Sequence, residues 1–335
     1  MNRGHTPLIT MNYLITGGTG LIGASVARQL VDRDDGDSIV CYDWAPDYDR
    51  VADIEDDVEV VQGDIREVEK LTKVFVDYDI DRVFHSAYLL STDSQQNPLR
   101  AIDVNCVGTG NVFELSAIFD VDMLAMASSL SINLYFDRED VEYEAPNKVA
   151  SYDPLTVDEE GPRDPKNVYS ACKTFNEDIA RHYATERGLE IAALRFGSVF
   201  GPGRKRGGSV FMSDLIENPV RGEPVEAPAK HLGADWTYVK DAARSTLLAF
   251  DNHPGGFEAY NIISEFAPIK KAADVVRENI PDANITLTEA FPETIPGVWG
   301  RADISKAAEV IEYEPAYPLE VGIADHIEIL RAEQY

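Results

Sequence analysis

A short apolar run, Tyr13-Leu14-Ile15-Thr16, leads straight into Gly17-Gly18-Thr19-Gly20-Leu21-Ile22-Gly23. Beyond it, apolar residues fall on a helical repeat through Ile22, Val26 and Leu30 until Asp34-Asp35-Gly36 stops it. Runs of strand length recur at Ser38–Asp43, 58–62, Arg82–His85, 122–127 and 190–194. Helical periodicity fills the gaps at 67–75 and 98–119. A further helix is opened by Asp164-Pro165, read as N-cap and first-turn proline, and closed by Gly188. On that helix Val168, Cys172, Phe175, Ile179 and Tyr183 form an apolar stripe apart from Tyr169 and Lys173. Strands alternating with helices predict right-handed βαβ units and an α/β, doubly wound parallel sheet covered on both faces.

Past about residue 200 the rhythm breaks, and Gly, Pro and basic residues cluster. The expected division is an α/β domain over 11–200, with 236–263 returning to it. A smaller substrate-binding domain would take 201–235 and 264–330, and residues 1–10 would form a flexible extension. Repeats and low-complexity tracts are absent from the sequence.

Charge narrows the class of partner. The 335 residues carry 59 Asp and Glu against 30 Lys and Arg, a formal −29. So acidic a surface repels nucleic acid and anionic lipid, so neither is an expected partner. The acids are spread along the chain rather than gathered in a tail, the pattern of a heavily hydrated, halophilic surface. Cys41, Cys106 and Cys172 are too few for a disulfide framework, and the six histidines form no HExxH or HxH cluster, so no metal site is expected. No run of 18 apolar residues occurs and the first ten residues lack an apolar signal core, which predicts a cytoplasmic chain.

Against that background three features carry chemistry. The first is Gly17-x-x-Gly20-x-x-Gly23 between a strand and a helix. Its glycines let backbone approach a pyrophosphate, which the N–H groups and dipole of the helix then hold. Asp43 ends the second strand, where a carboxylate binds the adenosine ribose hydroxyls and repels a 2′-phosphate; this reads as NAD rather than NADP. The second is Tyr169-Ser-Ala-Cys-Lys173, in which the i and i+4 positions share a helix face. A nearby ammonium favours the phenolate of a tyrosine whose ordinary pKa is about 10. With 15 Tyr in the chain such a pair arises readily by chance, and its place on a capped helix after the fifth strand is what singles it out. The third is Ser128-Ser129, which closes that strand at the sheet edge where ligands bind.

In this order, TGGTGLIG, Asp43, Gly63-Asp64-Ile65, His85-Ser86-Ala87, Asn105-x-x-Gly108-Thr109-x-Asn111, Ser129, YSACK and RFGSVFGPG, the sequence resembles the extended short-chain dehydrogenases/reductases of the NAD-dependent epimerase/dehydratase type. Asp303-Ile-Ser-Lys-Ala and Pro315-x-Tyr317-Pro-Leu-x-x-Gly322 resemble that family's C-terminal end, so the likeness covers roughly 12–330. It implies a Rossmann-type sheet with a smaller C-terminal substrate-binding domain, bound NAD and a homodimer formed through the helices around 98–119 and 165–187. By the same resemblance Gly17, Gly20, Leu21, Ile22, Gly23 and Asp43 would hold the cofactor, and Asp64 and Ile65 would flank its adenine. Ala87 would line its path and Asn105 would support the active-site helix. Ser129, Tyr169 and Lys173 would be catalytic, Lys173 also binding the nicotinamide ribose, with Phe196, Ser198 and Val199 near nicotinamide and substrate.

Departures from the family bear on the substrate. Ser129-Leu130-Ser131 offers no acid where dehydratases carry Thr-Asp-Glu. Ser198 stands for the Asn, and Ala234 for the Arg, of nucleotide-sugar epimerases, which favours a smaller carbohydrate-like substrate such as a sugar acid. Ser129, Ser131, Arg204 and Arg206 are the candidate substrate contacts, and the acidic insertion at 137–153 is either a lid or a solvated loop. The expected activity is hydride transfer between NAD and a secondary hydroxyl of a sugar, sugar acid or nucleotide-sugar, as epimerase or dehydrogenase. A non-catalytic NAD-binding sensor or scaffold is the alternative.

Overall fold

The computed structural model describes residues 10–136, 155–228, 232–289 and 298–333. The insertion at 137–153, and the N-terminal extension apart from Thr10, lie outside the described residues. The first half runs β1 (Asn12–Thr16), α1 (Leu21–Val31), β2 (Ser38–Asp43), β3 (Glu59–Gln62), α2 (Val68–Tyr78), β4 (Arg82–His85), α3 (Ser91–Gln96), α4 (Pro98–Ile102), α5 (Thr109–Ile118) and β5 (Met123–Ser129). Then come β6 (Tyr135–Phe136), β7 (Thr156–Val157), α6 (Val168–Arg187), β8 (Ile191–Phe196), β9 (Ser198–Phe200), α7 (Phe211–Val220), β10 (Val225–Ala227) and β11 (Gly233–Tyr238). The chain continues through α8 (Val239–Asn252), β12 (Phe257–Ile262), β13 (Glu265–Pro268), α9 (Ile269–Asn279), β14 (Ile285–Leu287), β15 (Val298–Trp299), β16 (Arg301–Ala302), α10 (Ser305–Ile311) and α11 (Leu319–Glu333).

Seven strands form the central sheet in the order β12-β8-β5-β4-β1-β2-β3, every pair parallel. This is the doubly wound sheet that the alternating pattern predicts. Strand alternation divides its apolar residues between two cores. Tyr13, Ile15, Ala125 and Ala127 pack on one side with α1 and α8 residues such as Val26 and Leu247. Leu14, Leu124 and Met126 pack on the other with Leu71, Phe75 and Phe113 from α2 and α5. A separate core holds β9, β11 and β13, a three-stranded sheet, together with α7, α9 and α11. Its largest fully buried side chain is Trp236, whose Nε1 donates to the Ala267 carbonyl at 3.0 Å.

Two local readings need correction. Helix α6 is capped by Asn167, not by Asp164-Pro165: Asn167 Oδ1 accepts from Ser170 N at 2.9 Å and Ser170 Oγ accepts from Asn167 N at 3.2 Å. Gly188 does end it, at φ 72°. The apolar stripe of α6 is split between core and surface, with Ile179 and Tyr183 packed half-buried against the core. Phe175 is 49% exposed, while Ser170, Cys172, Lys173, Asn176, Glu177 and Ala180 face inward. Finally, the helix read over 98–119 has a π-helical turn at Asp103–Gly108 between α4 and α5. There the Asn105 carbonyl accepts from Thr109 Oγ1 at 2.6 Å and from Asn176 Nδ2 at 2.7 Å, side-chain donors that satisfy it where the helical ladder widens.

Candidate active site

The C-terminal ends of β1, β2, β4, β5 and β8 open onto one crevice of about 560 Å³, a volume suited to a cofactor. Its floor is the glycine turn. Gly17 has φ +71°, and Gly20 N closes the turn onto the Gly17 carbonyl at 2.9 Å. A Cβ on Gly23 would stand 2.2 Å from the Gly17 oxygen, so only glycine lets α1 begin this close to the strand. No side chain caps α1, which leaves its first N–H groups and positive dipole end for an anion. Asp43 is held from one side by Thr19, whose Oγ1 donates at 2.9 Å, and by Ala45 N at 3.2 Å. These features fit a dinucleotide.

Most of the expected residues line this crevice: Gly17, Gly20, Leu21, Ile22, Gly23, Asp43, Asp64, Ile65, Ala87, Ser129, Tyr169, Lys173, Phe196 and Val199. The Asp64 carboxylate is paired with Arg66 at 2.6 Å, which holds it below the usual carboxylate range. Asn105 is placed differently. It is buried behind the wall, where its amide accepts from Leu89 N at 2.8 Å and donates to the Leu89 carbonyl at 3.0 Å, fixing the backbone just beyond Ala87. Ser198 also lies away from the larger cavity, because β9 turns it toward an adjoining recess of about 120 Å³. That recess adds Ser131, Asp235 and Trp299 and shares Ser129, Tyr169, Phe196 and Arg204 with the crevice.

The sheet register sets Ser129 beside Phe196 at the junction of the two cavities. Ser129 Oγ stands 2.9 Å from Ser131 Oγ and accepts from Ser131 N at 3.2 Å. Its neighbour Ser128 donates to Glu177 at 2.6 Å. Glu177 in turn makes a buried bidentate pair with Arg195, at 2.9 and 2.7 Å, which ties α6 to β8 beneath the site. One turn before Glu177, Lys173 is fully enclosed and donates to the Ala127 carbonyl; its Nζ lies 5.5 Å from the centroid of the Tyr169 ring. Burial draws the Lys173 pKa well below its ordinary value. His85 is pushed down to about 3 by burial and by Lys173. A neutral imidazole fits its bridge between Thr16 Oγ1 at 2.6 Å and Thr109 Oγ1 at 2.9 Å.

Of the basic loop, Arg204 touches both cavities but spends its guanidinium on the Val199 carbonyl, the Arg206 carbonyl and Ser209 Oγ. Arg206 is exposed in the crevice wall. Sequence reasoning missed Trp44, Tyr88 and Asp235. The first two adjoin Asp43 and Ala87, so their neighbours could have pointed to them. Asp235 has no such signal: it is a buried acid whose Oδ1 accepts from Ala302 N at 3.2 Å, whose Oδ2 has no partner, and whose pKa burial pushes up to about 8. Among the described residues no cluster of His, Cys, Asp and Glu could hold a metal ion.

Comparison with known proteins agrees with this geometry. The profile of the NAD dependent epimerase/dehydratase family matches residues 13–262. A UDP-glucuronate 4-epimerase of Thermodesulfobacterium geofontis is 27% identical over 325 residues, 93% of each chain. The fold is shared with the UDP-glucose 4-epimerase of Thermotoga maritima, solved with UDP-glucose, at a TM-score of 0.81 and 23% identity over 97% of this chain and 100% of that one. It is shared equally with an L-threonine dehydrogenase of Clostridium difficile, at a TM-score of 0.82 and 20% identity over 97% and 98%.

Proposed function

Because the chain belongs to the NAD-dependent epimerase/dehydratase family and is an NAD-dependent oxidoreductase, we propose that it inverts a secondary hydroxyl of a nucleotide-sugar, with UDP-glucuronate the first candidate. One observation carries the reading: Ser129 and Tyr169 stand in the wall common to the cofactor crevice and the smaller recess. A sugar carbon in the recess would then face both the phenol and the nicotinamide end of the crevice. Bound NAD supplies a hydride acceptor and, once reduced, a hydride donor. The chain's own part is proton handling and orientation. Tyr169 as phenolate takes the hydroxyl proton, Ser129 donates a hydrogen bond to the oxygen as it becomes a carbonyl, and Lys173 supplies positive charge beside the phenolate.

The named relative favours a nucleotide-sugar over the smaller sugar acid that Ser198 and Ala234 suggest. With the usual Arg replaced by Ala234, the cations of Arg206 and Lys205 in the crevice wall are the proposed partners of the substrate phosphates. The non-catalytic sensor is disfavoured by the family match over three quarters of the chain. Leu99 is 83% exposed, and Ile102, Val107 and Phe175 are exposed near it on the α4, π-helical and α6 surface, which supports a homodimer through these helices. No described helix is long and apolar enough to cross a membrane, in keeping with the cytoplasmic placement we propose.

The test is incubation with NAD and a panel of UDP-glucuronate, UDP-glucose, sugar acids and free sugars in concentrated salt, reading NADH absorbance and product stereochemistry together. Inversion without net NADH supports the epimerase. Net NADH makes the chain a dehydrogenase, and silence across the panel with NAD bound returns the sensor.

A further inference from the structure

Tyr88 follows directly on Ala87, in the wall of the crevice, and no motif of the sequence accounts for it. Its ring lies against Lys173, with Nζ 2.8 Å from the ring centroid, about half the distance to the Tyr169 ring. Lys173 needs such a neighbour. It is enclosed, and its enclosure works against the ammonium form. The polar groups around it offer limited compensation. The Ala127 carbonyl accepts its hydrogen bond. Glu177, on its own helix, is already committed to Arg195. Cys106 from the π-helical turn is held as a thiol, and His85 from β4 is neutral. Cys172 beside Lys173 is lowered to about 7 by its hydrogen bond with Cys106 and by Lys173, so it offers only a partial counter-charge near neutrality.

We infer that Tyr88 is a positioning residue for Lys173: the electron-rich face of its ring keeps the ammonium charged and fixed where it acts on Tyr169. The inference rests on the proposed roles of Tyr169 and Lys173. The ring, not the hydroxyl, does the holding. Tyr88 Oη faces Thr109 and Asn176 but completes a hydrogen bond with neither, and burial raises its pKa, so it neither titrates near neutrality nor anchors the network. Phenylalanine should therefore replace it, and an aliphatic residue of similar bulk should not.

The experiment follows Lys173 itself. Protein labelled at the lysine side-chain carbon and nitrogen, saturated with NAD, is titrated by NMR, with the Lys173 signal assigned by its loss in Lys173→Arg. Tyr88→Phe is expected to keep the wild-type titration midpoint. Tyr88→Leu is expected to lower it by about 1.5 pH units, the scale of a desolvated cation–π contact. Tyr88→Met, which fills the slot without an aromatic face, is titrated alongside so that the comparison survives if one variant fails to fold. With UDP-glucuronate as probe, the acid limb of kcat/KM should move up in Tyr88→Leu by no more than the Lys173 midpoint falls. A midpoint unchanged in both Leu and Met variants overturns the inference, as does a Phe variant that shifts as far as Leu. If UDP-glucuronate is not turned over, the functional reading fails separately, and the titration still decides the role of Tyr88.

Discussion

A phenol with an ordinary pKa of about 10 keeps its proton at neutral pH, so Tyr169 works as a base only where positive charge favours its ionised form. Lys173, one helical turn away on α6, is the proposed source of that charge. Removing the phenolic oxygen leaves the crevice intact and removes the proton acceptor. Tyr169→Phe should therefore lose at least about a hundredfold in kcat, while NAD affinity, read by fluorescence titration, stays within about twofold. Retained turnover would move the base elsewhere. Asp235 gives a second residue-level prediction. In the unfolded chain its carboxyl ionises near pH 3.9, whereas burial raises it to about 8 in the fold. Between those values the native state holds a proton that the unfolded state has released, so this carboxyl makes folding less favourable as pH rises through that window and then levels off. Asp235→Asn keeps an Oδ1 acceptor for Ala302 N and cannot ionise. Its urea midpoint should gain on the wild type from about pH 5 to about pH 8. A difference that does not change with pH would mean that Asp235 is ionised in the folded protein.

Helix α6 bears the proposed catalytic pair, and its first turn is set by a cap that is visible only in three dimensions. Asp164-Pro165 and Asn167 both satisfy the local rule for a helix start. Asn167 prevails because Val168 N donates to Gln95 Oε1 of α3 at 3.1 Å and Ser170 completes the capping box. Asn167→Ala should cost ~1 kcal/mol in denaturant stability. Because Tyr169 lies two residues further on, it should also lower kcat without changing NAD affinity; an unchanged kcat would show that the pair is held from the helix body alone. Alternation and period made the sheet, the glycine turn and the Tyr169–Lys173 face legible, since each is a local pattern repeated over several residues. What stayed hidden is non-local. Ser128, Glu177 and Arg195 come from three elements, and charged residues read as surface until the fold encloses them. At the π-helical turn Asp103–Gly108 the Asn105 carbonyl accepts from Thr109 and from Asn176, the latter a contact that spans 71 positions. Phe175 is the exposed member of its apolar stripe, and it faces a surface where a second copy is proposed to dock.

At the scale of the whole molecule the excess of acid dominates. A net −29 on one chain repels itself, and only some of it is locally answered, by exposed pairs such as Arg28–Asp53, Arg33–Asp251 and Arg66–Asp103 at 2.6 Å. Pairs this open are each worth little, typically below about 1 kcal/mol. The unfolded chain spreads the same charges over a larger volume, so repulsion penalises the compact state most when salt is scarce. The screening length falls from about 10 Å at 0.1 M to about 3 Å at 1 M monovalent salt, short enough at the higher value to uncouple charges on neighbouring elements. The melting temperature should therefore climb steeply with KCl across that interval and flatten beyond it, and the same salt should favour docking of two acidic protomers through Leu99, Ile102 and Phe175. Melting followed by circular dichroism, with sedimentation velocity at each salt concentration, reads both effects. Leu99→Lys separates them: it should abolish any salt-driven dimer and leave the rise in melting temperature of the monomer. A melting temperature insensitive to KCl would mean that the acidic surface is already balanced within the fold, and halophilic adaptation would then have to be abandoned.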